Sequence, residues 1–171
     1  TGVQTCALPI SGESWVETRL AEIANFKNGL NFSRNRSGQT LRLIGVGDFQ
    51  ERSVVPLNNL QSITIDGDLA EDYLIREGDI LTVRSNGSKE LVGRCMVVPA
   101  VSEMISYSVF IIRIRLNGPG VSPRFLLYFM RSKTTRNRLT SNGGGTSISN
   151  INQAKLAVPV QGSGLLATSI G

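Results

Sequence analysis

LTVRSNGSKELVGR, residues 81–94, decides how this chain is read. It starts as an apolar strand pattern and breaks at Arg84 into a polar loop, Arg84-Ser85-Asn86-Gly87-Ser88-Lys89. Apolar residues return at Leu91 and Val92. Asn-Gly between two strand patterns is the strongest short hairpin signal, so one reading is an ordinary turn. The other follows from the loop's chemistry: two cations, two hydroxyls and an amide, with no nucleophile–base pair and no metal-ligand cluster. Arg and Lys neutralise phosphate, Arg pairs bidentately with guanine, and Asn with adenine.

Downstream of this hairpin, Pro99 ends the returning strand at residues 91–98. SVFIIRIRL (residues 108–116) alternates. Phe110, Ile112, Ile114 and Leu116 share one face; Ile111, Arg113 and Arg115 share the other, which is expected to face DNA or solvent. Ser122 and Pro123 read as an N-cap and first helical residue. FLLYFM (residues 125–130) is apolar nearly all round, which predicts a buried helix. A second helix at 133–139 carries Lys133, Arg136 and Arg138, with Arg131 just before it. This stripe is either a solvated face or a set of phosphate contacts.

SNGGGTSISN (residues 141–150) is a second polar loop. Its three successive glycines, including Gly144, allow close backbone approach, and Thr146, Ser147 and Ser149 offer hydroxyls; the alternative is a purely structural element ahead of the closing strand. A helical turn at 151–155 and a closing strand at 156–160 follow. Upstream, a strand is expected at 15–20, a helical turn at 21–25, and a basic loop, KNGLNFSRNR, at 27–36. That loop holds Lys27, Asn31, Arg34 and Arg36 and no acid. Residues 41–46 form a strand ending in GVGDF, which lacks the three spaced glycines of a dinucleotide loop. Residues 63–65 are the clearest strand between 54 and 72. The fold class expected is α+β: a mixed, largely antiparallel β-sheet with short helices concentrated in the C-terminal third.

Charge is unevenly placed. Residues 1–103 hold ten Lys or Arg against thirteen Asp or Glu; residues 104–171 hold eight Lys or Arg and no acid. Such asymmetry points to a polyanion-binding face, the alternative being that acidic and basic parts pack together. The chain has no histidine, which removes Ser-His and Cys-His nucleophilic sites and the usual zinc hydrolase patterns. Asp66, Asp68, Glu71 and Asp72 form an acidic cluster without calcium-loop spacing, read as a solvated turn rather than the seat of a metal-dependent enzyme. No cofactor is implied. Cys95 lies in an apolar pattern and reads as a small buried hydrophobe. The absence of a disulfide framework and of any apolar run of membrane length fits a cytoplasmic protein.

WVETRLAEIA (residues 15–24), GDIL running into RSNGSKELVG, SVFIIRIRL, the helix with FLLYFMRS, and GGGTSISNINQAKLAVPV occur in an order and spacing that resembles the target recognition domain of type I restriction–modification specificity subunits. The likeness spans roughly residues 14–160. It implies sequence-specific binding of double-stranded DNA, no catalysis, and partnership with separate methyltransferase (modification) and restriction subunits. A docking role toward the methyltransferase subunit, with little DNA binding of its own, is the competing expectation. The DNA-binding set expected is Lys27, Asn31, Arg34, Arg36, Arg84, Ser85, Asn86, Ser88, Lys89, Arg113, Arg115, Arg131, Lys133, Arg136, Arg138, Gly144, Thr146 and Ser147.

The ends read differently. TGVQTCALPI (residues 1–10) resembles a translated sequencing adapter and is set apart as an artefactual tail, leaving 11–160 as the recognition domain. The family usually continues its Val-Pro dipeptide with further prolines and a long helix. Here VQGSGLLATSIG follows Pro159, and its glycines disfavour a helix, so residues 161–171 read as a truncated or frame-shifted tail.

Overall fold

A computed structural model describes residues 16–31, 38–85, 87–88, 90–141 and 151–162. In chain order the elements are β1 (Val16–Arg19), α1 (Leu20–Ile23), β2 (Ala24–Asn28), β3 (Gln39–Ile44), β4 (Gln61–Ile65), β5 (Ile80–Val83), β6 (Cys95–Val97), β7 (Ile105–Tyr107), β8 (Ile111–Leu116), α2 (Pro123–Arg131), α3 (Lys133–Thr140) and β9 (Pro159–Gly162). The expected class holds: α+β, with short helices and mostly antiparallel pairing.

The central sheet has the order β2-β8-β5-β6 and is antiparallel throughout. A second sheet runs β4-β3-β7, with β3 and β7 parallel, and β1 pairs with β9. The hairpin expected around residues 84–90 is the β5–β6 connection, in which Thr82 faces Cys95.

Every residue of β5 is buried, as an inner strand covered on both sides requires. Ile80, Ile112 and Ile114 pack on Leu126, Met130 and Leu139 of the helices. On the other face Leu81, Val83 and Ile111 pack with Ile44, Phe49 and Tyr107.

Ser122 caps α2 as expected: its Oγ accepts from the Arg124 N–H at 3.3 Å, and Pro123 opens the helix. The helix is not buried all round. Leu126, Leu127 and Met130 face the core, whereas Phe125 is exposed and Tyr128 is 64% exposed. Its period of 3.6 turns one side outward whatever residues occupy it. Two short strands, β2 and β7, escape the sequence reading. ANFKN and ISY show little alternation, and each exists because a neighbouring strand offers a free edge. The closing strand also starts later than expected, at Pro159, after a turn through Leu156.

Candidate nucleic-acid interface

The central sheet delivers three chain segments to one of its ends. β2 runs out through Gly29 and Leu30 to Asn31. β5 runs out through Arg84 and Ser85, and β8 starts just after Ser108, Val109 and Phe110. Main-chain hydrogen bonds tie them together: Gly29 N–H to Ile111 O at 3.0 Å, Leu30 N–H to Tyr107 O at 3.0 Å, Val109 N–H to Leu30 O at 2.8 Å, and Arg84 N–H to Phe110 O at 2.9 Å. Ile151, at the end of the glycine-rich loop, donates its N–H to Arg84 O at 2.8 Å. The sequence therefore placed three polar loops separately, and the sheet brings their stems side by side.

Gly29 makes this junction possible. A Cβ there would collide with the carbonyl oxygens of Ser108 and Tyr107, so only glycine lets β2 lie this close.

At the junction, Asn31 is exposed and Ser85 half-buried, while Ser88 is exposed on the loop beyond. Arg84 is half-buried, and its Nε is buried without a hydrogen-bond partner. Asn28 Oδ1 and Ser108 Oγ, close by in the chain segments just named, are also buried and unpartnered. Buried polar atoms normally find partners, and three of the six unpartnered ones among the described residues lie on these segments; Thr82 Oγ1, Arg42 Nε and Arg113 Nε are the others. Arg34, Arg36, Asn86, Lys89, Gly144, Thr146 and Ser147 lie outside the described residues.

Arg113 and Arg115 require a correction. They were expected on an open basic face, but the sheet is covered on that face too. Arg113 is 3% exposed; its Nη1 donates to Asp72 O at 2.6 Å and its Nη2 to Asp72 Oδ1 at 3.2 Å. Arg115 forms a two-point pair with Asp79, Nε to Oδ1 at 2.8 Å and Nη2 to Oδ2 at 2.7 Å. For these two cations, the alternative reading of the charge asymmetry applies: acidic and basic parts pack together.

Lys27 is likewise engaged. It pairs with Asp72 and lies 4.2 Å from the centroid of the Tyr73 ring. Lys27, then Arg113, hold the Asp72 carboxyl below its ordinary range by hydrogen bonding. Asp72 thus joins two strands to the turn that carries it.

The cations of α2 and α3 divide into two kinds. Arg131 Nη1 donates to Arg52 O at 2.9 Å and Cys95 O at 3.1 Å, and Arg136 donates to Glu90 O. Arg94, which the sequence reading passed over, also grips Glu90 O, from Nε at 3.1 Å. These arginines line a cavity of about 130 Å³; Arg136 and Arg94 hold the 84–94 loop at Glu90, and Arg131 ties α2 to Arg52 and to β6. Lys133 and Arg138 are exposed.

Phe110 is the other residue missed. Alternation assigned it to the core face with Ile112 and Ile114, yet it is 52% exposed, because it precedes β8 and the sheet above it has ended.

The fold assembled here is that of type I restriction–modification specificity subunits. A chain from a type I R-M complex matches 90% of this chain with a TM-score of 0.62 at 16% identity. The HsdS subunit from Thermoanaerobacter tengcongensis matches 86% with 0.60 at 20%, and the S subunit from M. genitalium 90% with 0.54 at 13%. In sequence, the chain is related to the type I restriction enzyme StySPI specificity subunit of Salmonella potsdam, with 28% identity over 155 residues, 86% of this chain. The chain spans about one third of the length of these relatives, 33% of the Salmonella subunit and 36–37% of the solved chains. No protein-family model matches it.

Proposed function

We propose that this chain is a target recognition domain: a non-catalytic module that reads one half-site of double-stranded DNA for a cytoplasmic type I restriction–modification complex. It would direct separate methyltransferase and restriction subunits to that site. Residues 11–160 carry the reading, with β9 extending two residues further to pair with β1.

One observation carries it. Arg84 stands at the meeting point of three polar loop stems, and it makes no hydrogen bond or ion pair through its guanidinium with any described residue. Arg113 and Arg115, by contrast, are neutralised inside the fold. A guanidinium held at its stem and unpaired at its head suits bidentate contact with guanine O6 and N7. Asn31, Ser85, Asn86, Ser88 and Lys89 would complete base and phosphate contacts around it, together with Arg34, Arg36, Gly144, Thr146 and Ser147. Exposed Lys133 and Arg138 would hold phosphates.

Binding of the chain to a randomised duplex library at two salt concentrations tests this. An enriched asymmetric motif of a few base pairs supports it. Affinity should fall by roughly three to five decades between low and moderate salt if six to ten phosphates are neutralised. No binding at low salt by the folded chain overturns it.

The exposed side of α2 favours a second role beside this one. Phe125 and Phe129 stack with centroids 6.5 Å apart next to exposed Tyr128, a surface suited to docking the methyltransferase subunit.

A further inference from the structure

Arg84 and Phe110 are cross-strand neighbours. The β5–β8 register pairs Val83 with Ile111, and the hydrogen bond from Arg84 N–H to Phe110 O carries that pairing one residue further. Directly opposed residues on antiparallel strands project to the same side, about 5 Å apart at Cβ. Arg84, with its unpartnered Nε, therefore shares a side with the half-exposed ring of Phe110. Of the five large hydrophobics exposed among the described residues, Phe110 is the one in hydrogen-bonded register with Arg84.

The Phe110 ring is half in water beside the Arg84 strand position. The major groove offers one apolar feature among its donors and acceptors, the 5-methyl group of thymine. We infer that Phe110 is a specificity-determining residue, whose ring receives the 5-methyl of a thymine at the base pair next to the one Arg84 contacts. This rests on the DNA-reading role above and adds to it a residue and the base chemistry it selects.

The test uses the whole chain and a duplex carrying the motif that the chain itself enriches. Each thymine of the motif is replaced in turn by deoxyuridine, which removes only the methyl group. One replacement should weaken wild-type binding about four-fold, the weight of one methyl withdrawn from water. The same replacement should have no effect on Phe110→Ala, which should already bind the thymine duplex about four-fold more weakly. Phe110→Gln, which keeps a side-chain stem at this half-exposed position, gives the same comparison should the alanine variant fold poorly. Replacing the guanine contacted by Arg84 with 7-deazaguanine should cost wild type and variant equally.

If an enriched motif shows no response to deoxyuridine, or responds equally in wild type and variant, the inference fails while the DNA-reading role stands. If no motif is enriched, both fail together.

Discussion

Asp79 and Arg115 lock the turn before β5 onto β8 through two parallel hydrogen bonds of 2.8 and 2.7 Å. Asp79 is 2% exposed, and its Oδ2 also accepts the Arg76 N–H at 2.8 Å. The hydrogen bond to Asp79 raises the Arg115 guanidinium above its ordinary value. Removing one partner from a buried pair leaves a charge without compensation. Asp79→Ala should therefore destabilise by about 3 kcal/mol, the low end for buried pairs because Arg115 keeps some contact with water. Urea denaturation of Asp79→Ala, Arg115→Ala and the double variant checks it. The single losses should be clearly non-additive, and additive losses would show that the pair is not coupled.

Asp72 gives the structure a pH dependence. Its carboxyl is held below the ordinary range first by Lys27 and then by Arg113. A lowered folded value means that the contribution is complete above the unfolded carboxylate range and is lost as pH falls through the folded value. Asp72→Asn should be less stable than the parent at neutral pH, and the gap should close on acidification below about pH 4. A gap that widens in acid would reverse the sign.

Gly29 should tolerate no side chain. Gly29→Ala drives a methyl into the Ser108 and Tyr107 carbonyls, so either β2 or the 107–110 turn must move. A loss of about 1–3 kcal/mol is expected, with weaker DNA binding because Asn31 and Phe110 both hang on this junction. Thermal melting and duplex binding of the variant report the two effects separately.

Cys95 should be inert while the protein is folded. Burial pushes its thiol up to about 11, and its Sγ–H donates to Gly93 O at 3.4 Å. In a Cys6→Ser chain, a thiol-exchange reagent at pH 8 should react only at the rate of unfolding. Rapid modification of the native chain would show that the helices do not seal β6.

Arg84 and Arg138 should fail in different ways. Arg84→Ala should cost about 1–3 kcal/mol on the enriched motif and relax specificity at one base pair. Arg138→Ala should weaken all duplexes alike and reduce the salt slope by about one. Competition binding across single-base variants separates the two. A uniform loss with Arg84→Ala would move Arg84 from base reading to phosphate contact.

Much of the architecture is legible in local pattern. Alternation in IIRIRL, the Ser122–Pro123 cap and the run ILTV before Arg84 each specify their element, because strand and helix periodicities are short-range properties of the chain. The ordered set of segments also carried the likeness to specificity subunits, which the relatives bear out in sequence and fold. Composition placed the cations but not their partners. Arg113, Arg115 and Lys27 look like Arg84 in the sequence. Whether each meets Asp72, Asp79 or solvent depends on which segment covers the second face of the sheet, 36 to 45 residues away in the chain. Phe110 likewise follows the alternation of β8, and only the end of the sheet leaves it in water. Periodicity is written between neighbours, so the sequence by itself determined the patterned strands and helices, but not β2 and β7, which a neighbouring strand edge creates. Charge pairing and exposure are set by long-range contacts, so only the tertiary structure decided which cations remain unpaired and which aromatic ring stands beside them.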